Sequence, residues 1–295
     1  MREARIGIIG GSGLYKMEGL TGIKKVMIDT PFGEPSDAII LGILEGVKVA
    51  FLPRHGEGHR LSPSELPAKA NIYALKSLGV ERIISVSAVG SLKEDIRPLD
   101  IVVPDQLVDM TKGRAGTFFT DSIVGHVSLA EPFCPVLSQL SFDACTKAAA
   151  RAHKRGTYLV VEGPQFSTRA ESQLYCSWGV DIVGMTASPE AKLAREAEMC
   201  YATLAVVTDY DCWHPGHDSV TVEMILTNLR KGVDTVKKAL KLLLPSIPDK
   251  RDCACANALK YAIATDPKVV PEVRRKELEL LIGKYLARRE DVNQA

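Results

Sequence analysis

The apolar run Leu204-Ala205-Val206-Val207-Thr208 ends in two carboxylates one residue apart, Asp209 and Asp211, with Tyr210 between them and Cys212 and Trp213 after them. Residues 201–207 are short, apolar and β-branched near their end, which predicts a central strand covered on both faces. Ligands of open α/β sheets gather beyond the carboxyl ends of strands, so both acids fall where chemistry is expected. A carboxyl group desolvated there can hold a proton and donate it. The period-two spacing turns both side chains to one side if the extended conformation continues past Asp209. The other reading of the pair is a helix N-cap, because a helical pattern follows within about ten residues. The flanking aromatics suit a pocket wall better than a solvated turn.

Other strand ends supply groups of the opposite kind. Pro53-Arg54-His55 closes an apolar run; Arg54 carries a planar fork of donors and His55 one more, a pairing suited to clamping an anion. Hydroxyls stand in glycine-flanked segments at Ser12, Ser87 and Thr186, and Phe166 and Met185 offer apolar surfaces. Together these residues describe a site that holds a phosphate on one side and a flat polar heterocycle on the other. Two tempting motifs fail. Gly10-Gly11-Ser12-Gly13 resembles the start of a dinucleotide fingerprint, but the third glycine would fall at Lys16; what survives is either an anion cradle of free N–H groups or a plain tight turn. His55, Glu57 and His59 suggest a zinc protease, yet Gly56 and Gly58 disfavour the helix that motif needs and the glutamate is at the wrong offset. No metal site is expected.

The elements that must position these groups alternate along the chain. Strands are predicted at 5–9, 82–87, 101–104, 157–161, 181–183 and 201–207, with a hairpin of 38–44 and 47–53 around Glu45-Gly46. A glycine loop at 88–92 follows the strand at 82–87. Helices are predicted at 66–78, 142–153, 170–178, 190–198, 220–244 and 272–289, with a break marked by Pro245 and Pro248. The polar, glycine-rich connection 109–131 is long enough to suggest a functional loop or lid; it holds His126, to which nothing nearby gives a role. This alternation implies one α/β domain over 1–295 with a mixed sheet, 245–295 forming a C-terminal helical extension.

Composition narrows the class. A chain of 295 residues with net charge +1 can bury a large core and carries no basic stripe, so nucleic acid is not an expected partner. Lys237-Lys238 and Arg274-Arg275-Lys276 fit solvated helix faces. The chain runs from Met1 into a strand without a signal-type apolar region, and no stretch is long enough to cross a bilayer, so a soluble cytoplasmic protein is expected. Seven cysteines are too few for a secreted disulfide scaffold. Cys253-Ala254-Cys255 stands outside the core pattern; its spacing is too close for a zinc ribbon and no second pair lies near it, which leaves a local or intersubunit disulfide as another reading.

As a set, Ile8-Ile9-Gly10-Gly11-Ser12-Gly13, Asp29-Thr30-Pro31-Phe32-Gly33-Glu34-Pro35-Ser36-Asp37, Arg54-His55-Gly56, Gly90-Ser91-Leu92, Ala130-Glu131-Pro132-Phe133-Cys134-Pro135, Glu162-Gly163-Pro164-Gln165-Phe166-Ser167 and Thr208-Asp209-Tyr210-Asp211-Cys212-Trp213 resemble the motifs of the S-methyl-5'-thioadenosine phosphorylases. These form a branch of the trimeric purine nucleoside phosphorylase family, and the matches run in order over most of the chain. The resemblance implies an α/β/α sandwich of the nucleoside phosphorylase fold and phosphorolysis of methylthioadenosine to adenine and 5-methylthioribose 1-phosphate, with no cofactor and phosphate as co-substrate. It implies Ser12, Arg54, His55, Ser87, Ala88 and Thr186 around phosphate, Ser12 and Ser87 standing where the family often has threonine. Asp209 would be the proton donor. Asp211, Tyr210, Phe166 and Ser167 would surround the base, and Met185 would pack on the ribose. His126, Val220, Val222 and Ile225 match positions around the 5'-methylthio group, closed in this family partly by a neighbouring subunit of a trimer or a dimer of trimers. A similar Cys-x-Cys occurs in thermophilic relatives.

Overall fold

The computed structural model describes the chain except residues 1–2, 12–13, 15–16, 216–220 and 293–295, and the side chains of 287–292. Ser12 and Val220 therefore lie outside the described residues. Eleven strands among these described residues form one mixed sheet: β1 (Ile6–Gly10), β2 (Thr21–Val26), β3 (Ile39–Leu44), β4 (Val47–Pro53), β5 (Arg82–Ser91), β6 (Ile101–Val103), β7 (Gln106–Asp109), β8 (Ala152–Lys154), β9 (Thr157–Val160), β10 (Ile182–Gly184) and β11 (Cys200–Asp209). Among the described residues six α-helices cover it: α1 (Ala68–Ser77), α2 (Pro135–Lys147), α3 (Arg169–Ser177), α4 (Ala187–Glu196), α5 (Val222–Ser246) and α6 (Glu272–Val292).

The strand pattern assigns the two faces. Ile8, Ile40, Phe51, Ile84, Val86, Leu204 and Val206 pack in one cluster with α2 and α5, whereas their neighbours Ile9, Leu41, Leu52 and Ile83 pack in another with α1, α4 and α6. Alternation of side chains along each strand thus fills two core layers, the α/β/α arrangement. The face of α6 carrying Leu278, Leu281, Ile282 and Tyr285 belongs to the second cluster. Among the described residues no helix is long and apolar enough to cross a membrane.

β5 is the axis. It pairs in parallel with β1 and with β11, and its last two residues then pair antiparallel with β10. The strand therefore continues to Ser91, where the sequence suggests that it stops at Ser87 and yields to a loop; pairing with β10 extends it through Gly90. Three more expectations change. The helix predicted at 142–153 starts at Pro135, a proline at the first helical position, and ends at Lys147. Residues 152–154 form β8 against β6. α5 passes Pro245 and ends one residue later, because a proline in the last turn forfeits a single backbone bond.

The 109–131 connection is not a loose flap. Phe118, Phe119 and Ile123 are buried in the α6 layer, and Arg274 donates to the carbonyls of Phe118 and Thr120, so this arginine is a fastening and not part of a solvated face. The backbone N–H of His126 donates to the Ala262 carbonyl at 2.8 Å.

Candidate active site

Arg54 follows the last residue of β4 and is 2% exposed. A guanidinium desolvated to that degree needs a counter-charge. Glu190, in the first turn of α4, supplies it: Arg54 Nε donates to Oε1 at 2.6 Å and Nη2 to Oε2 at 3.1 Å. Nη2 also donates to Ser85 Oγ at 2.6 Å, and Nη1 to the Val86 carbonyl at 2.8 Å. Tyr201 donates its hydroxyl to Glu190 Oε2 at 2.8 Å. Four of the five N–H groups of Arg54 are thereby engaged, so the fork inferred from sequence is spent mostly on Glu190 and β5, and one Nη1 hydrogen remains for a ligand.

His55 is set by its neighbours. Its Nδ1 lies 2.9 Å from the Leu61 carbonyl, which can only accept, so Nδ1 carries the proton. Burial, with Arg54 beside it, pushes its pKa down to about 4. At neutral pH its Nε2 therefore bears a lone pair and is an acceptor. The ring stacks on His59 with centroids 4.2 Å apart.

Beside this pair stand polar atoms with no partner. Ser87 Oγ and Tyr158 Oη are buried and without a hydrogen bond. Burial raises the Tyr158 phenol, with Ser87 and Thr186 beside it pulling the other way. Thr186 is the N-cap residue of α4, yet its side chain makes no capping bond. Unpaired buried hydroxyls are costly, and the two of Ser87 and Tyr158, with Thr186 beside Tyr158, suit an oxyanion that accepts from them. β1 ends next to Arg54, whose N–H donates to the Gly10 carbonyl at 3.0 Å.

The acids lie further along β5. Asp209 pairs with Gly90 in the β11–β5 ladder after a register shift. A Cβ on Gly90 would stand 2.9 Å from Asp209 Oδ1 and 3.2 Å from Asp211 Cβ, so this position accepts no side chain while both acids approach it. The extended conformation does not continue: β11 ends at Asp209, and Asp211 has φ +52°. The chain turns back so that the Asp211 N–H donates to Asp209 Oδ1 at 2.8 Å, while Thr208 Oγ1 donates to Oδ2 at 2.7 Å. Burial raises the pKa of Asp209, against those two hydrogen bonds, and the Asp211 carboxylate adds to the rise. Asp211 is raised too, chiefly by burial, and its Oδ2 is buried without a partner. The two carboxyls are thus brought together by a turn, not by strand periodicity.

The remaining candidates frame this core. Asn228 of α5 donates to the Thr208 carbonyl at 2.7 Å, which seats the first turns of α5, with Val222 and Ile225, over the end of β11. Gly163 has φ +68°, and a Cβ there would stand 2.4 Å from Met185 Sδ. Arg114 holds the Met185 segment by donating to the carbonyls of Met185, Ser188 and Glu162 and pairing with the Glu162 carboxylate at 3.0 Å. Phe166 is 42% exposed, and the Ser167 carbonyl accepts from Cys212 Sγ. The ring of Tyr210 stacks on His214 and its hydroxyl donates to the Glu94 carbonyl. His126 is exposed and fastened at Ala262. Sequence reasoning missed Glu190, Tyr158, Arg114 and Asn228; for Glu190 alone there was a signal, since a buried arginine requires a carboxylate somewhere in the chain.

This fold and strand-end site define a member of the phosphorylase superfamily, whose sequence model matches residues 5–245. The chain is 55% identical over 283 residues to the S-methyl-5'-thioadenosine phosphorylase of Koribacter versatilis, covering 96% of this chain and 97% of that one. A crystal structure of a methylthioadenosine phosphorylase from an antarctic soil metagenomic library superposes with a TM-score of 0.91 at 50% identity, covering 95% and 99% of the two chains. A single-site variant of the adenosine/methylthioadenosine phosphorylase of Schistosoma mansoni, in complex with methylthioadenosine, matches with a TM-score of 0.79 at 37% identity over 87% of this chain and 96% of that one. The chain belongs to the S-methyl-5'-thioadenosine phosphorylase family.

Replacing Glu190 by glutamine leaves Arg54 buried without its counter-charge and is expected to cost about 3 kcal/mol of stability in denaturant unfolding. A loss below about 1 kcal/mol would show that the ion pair is not what holds Arg54. For Asp209, a folded pKa above the ordinary 3.8 means that its contribution to stability is complete below that value and declines as pH rises through the folded pKa. Asp209→Asn is therefore expected to stabilise the fold relative to the unaltered protein at neutral pH, the gain vanishing below pH 3.8. Unfolding curves at both pH values test the sign.

Proposed function

We propose that the chain catalyses phosphorolysis of S-methyl-5'-thioadenosine to adenine and 5-methylthio-α-D-ribose 1-phosphate, as a soluble cytoplasmic homo-oligomer without a cofactor. The carrying observation is the arrangement along β5. The anion groups cluster at Ser85 to Ser87, and the raised carboxyl of Asp209 stands opposite Gly90, three residues and roughly 10 Å further along the strand. That interval accommodates a ribose between an oxyanion and a base.

Cleavage of an N-glycosidic bond builds positive charge on the sugar and negative charge on the departing purine. Phosphate held by Arg54, Ser87, Thr186 and the backbone at Ala88, with Ser12 and His55 completing the ring, stabilises the first charge and attacks the anomeric carbon from close range. The neutral His55 Nε2 accepts a hydrogen bond from a protonated phosphate oxygen. Asp209, its pKa raised by burial, donates to purine N7 and neutralises the second charge. Asp211 Oδ2, which has no protein partner, accepts from the 6-amino group. A 6-oxo purine would set an acceptor against this acceptor, so adenine is preferred over hypoxanthine. Phe166 and Ser167 line the base, the main chain at Tyr210 faces it, and Met185 packs on the ribose.

Val220, Val222 and Ile225 favour a methylthio group over a 5'-hydroxyl by about 1–3 kcal/mol, the reach of an apolar pocket. Val222 is 61% exposed in the single chain, and His126 is exposed and tethered to Ala262; this exposure supports a reading in which a neighbouring subunit of a trimer or a dimer of trimers covers both.

Incubation with methylthioadenosine is expected to release adenine only when phosphate is present, with one methylthioribose 1-phosphate per adenine; adenine release without phosphate would replace phosphorolysis by hydrolysis. Asp209→Asn is expected to lower kcat by about 10²–10⁴-fold with little change in KM, since the proton is needed chiefly in the transition state. Steady-state kinetics showing an unchanged kcat would remove Asp209 from the acid role.

A further inference from the structure

Four of the seven cysteines stand together at the end of β11 remote from Asp209. Cys200 opens that strand, Cys134 is the N-cap of α2, and Cys253 and Cys255 enclose Ala254 in the segment between α5 and α6. The pair that sequence leaves without partners thus acquires two, from elements 53 and more residues away. All four Sγ atoms lie within 4.8 Å of one another, and those of Cys200 and Cys253 are 3.4 Å apart. Four atoms so disposed necessarily share a point within roughly 2.9 Å of each, close to the ~2.3 Å of a zinc–thiolate bond.

We propose that Cys134, Cys200, Cys253 and Cys255 form a tetrathiolate site for zinc. The surroundings fit the charge of such a centre. The Leu137 N–H donates to Cys134 Sγ at 3.5 Å and Arg195 Nη1 to Cys255 Sγ at 3.4 Å, and N–H donors on sulfur stabilise thiolate ligands. Arg82 and Arg251 line the adjoining pocket beside Cys134, Cys200 and Cys253. Three guanidinium groups thus offset the double negative charge left when four thiols release four protons and bind one divalent ion. Three of the four cysteines are buried and all four positions of a tetrahedron are filled by protein, the arrangement of a structural and not a catalytic zinc. Cys200 and Asp209 are separated by the length of β11, roughly 30 Å at its strand rise. The ion would fasten the segment leading into α6 to β11 and α2.

Elemental analysis of the full chain purified without chelators is expected to find one zinc per chain, retained on dialysis and released by an organomercurial that titrates thiolates. Refolding with cobalt in place of zinc is expected to give the charge-transfer and visible bands of a tetrahedral cobalt thiolate. Cys200→Ser and Cys255→Ser are expected to lose the metal, whereas Cys145→Ser, buried outside the cluster, keeps it. Should the variants fail to fold, the metal content and cobalt spectrum of the unaltered chain decide. A metal-free chain whose mass rises on reduction would overturn the proposal in favour of disulfides, and a chain that takes up neither zinc nor cobalt while all four thiols are alkylated would overturn it outright.

Discussion

A buried ion pair governs the architecture of the site. Arg54 and Glu190, each only 3% exposed at the side chain, come from β4 and α4, which are 136 residues apart in the chain. Burying two charges costs several kcal/mol per ion unless every hydrogen-bonding position is met. Ser85 and the Val86 carbonyl meet all but one of those left on the arginine, and Tyr201 one on the glutamate, so the pair locks three strands and a helix into one arrangement. The single N–H left over belongs to an otherwise satisfied cation at the end of β4. A cation fixed in this way has little freedom left to lose on meeting a partner, which is the gain from preorganisation.

At the other end of the site the balance is reversed, since there a carboxyl is made harder to ionise. Burial does this for Asp209, and the turn at Asp211 brings a second acid next to it. Two carboxyls in one desolvated corner resist being charged together, which raises the pKa of the first further. Glycine at position 90 permits this crowding, and Asn228 holds the turn to α5 through the Thr208 carbonyl. The Met185 segment is positioned similarly, by Arg114 on one side and the missing side chain of Gly163 on the other.

Much of this is legible in the chain as written. Largely apolar strands such as Ile6–Gly10 and Cys200–Asp209 announce a sheet covered on both faces, and the strand ends name Arg54, His55, Ser87 and Asp209. The elements that escaped are short or owe their form to partners. Thr21–Val26 is exposed along almost its whole length and exists because it pairs with β3; Gln106–Asp109 and Ala152–Lys154 exist because they pair with β9 and β6. Gly90 reads as a loop until β10 lies beside it.

The sequence by itself determined the alternation of strands and helices, the two core faces and the chemical types gathered at the strand ends, because periodicity and residue type are local properties. Only the tertiary structure decided which groups face one another. Glu190 joins Arg54, Asp211 folds back onto Asp209, and Cys134 and Cys200 meet Cys253 and Cys255 across the length of the chain. The reason is the range of the forces involved. Hydrophobic patterning acts through each residue's own position on its element, whereas the pairing of buried charges and sulfurs is settled by contacts that form only once the layers have packed.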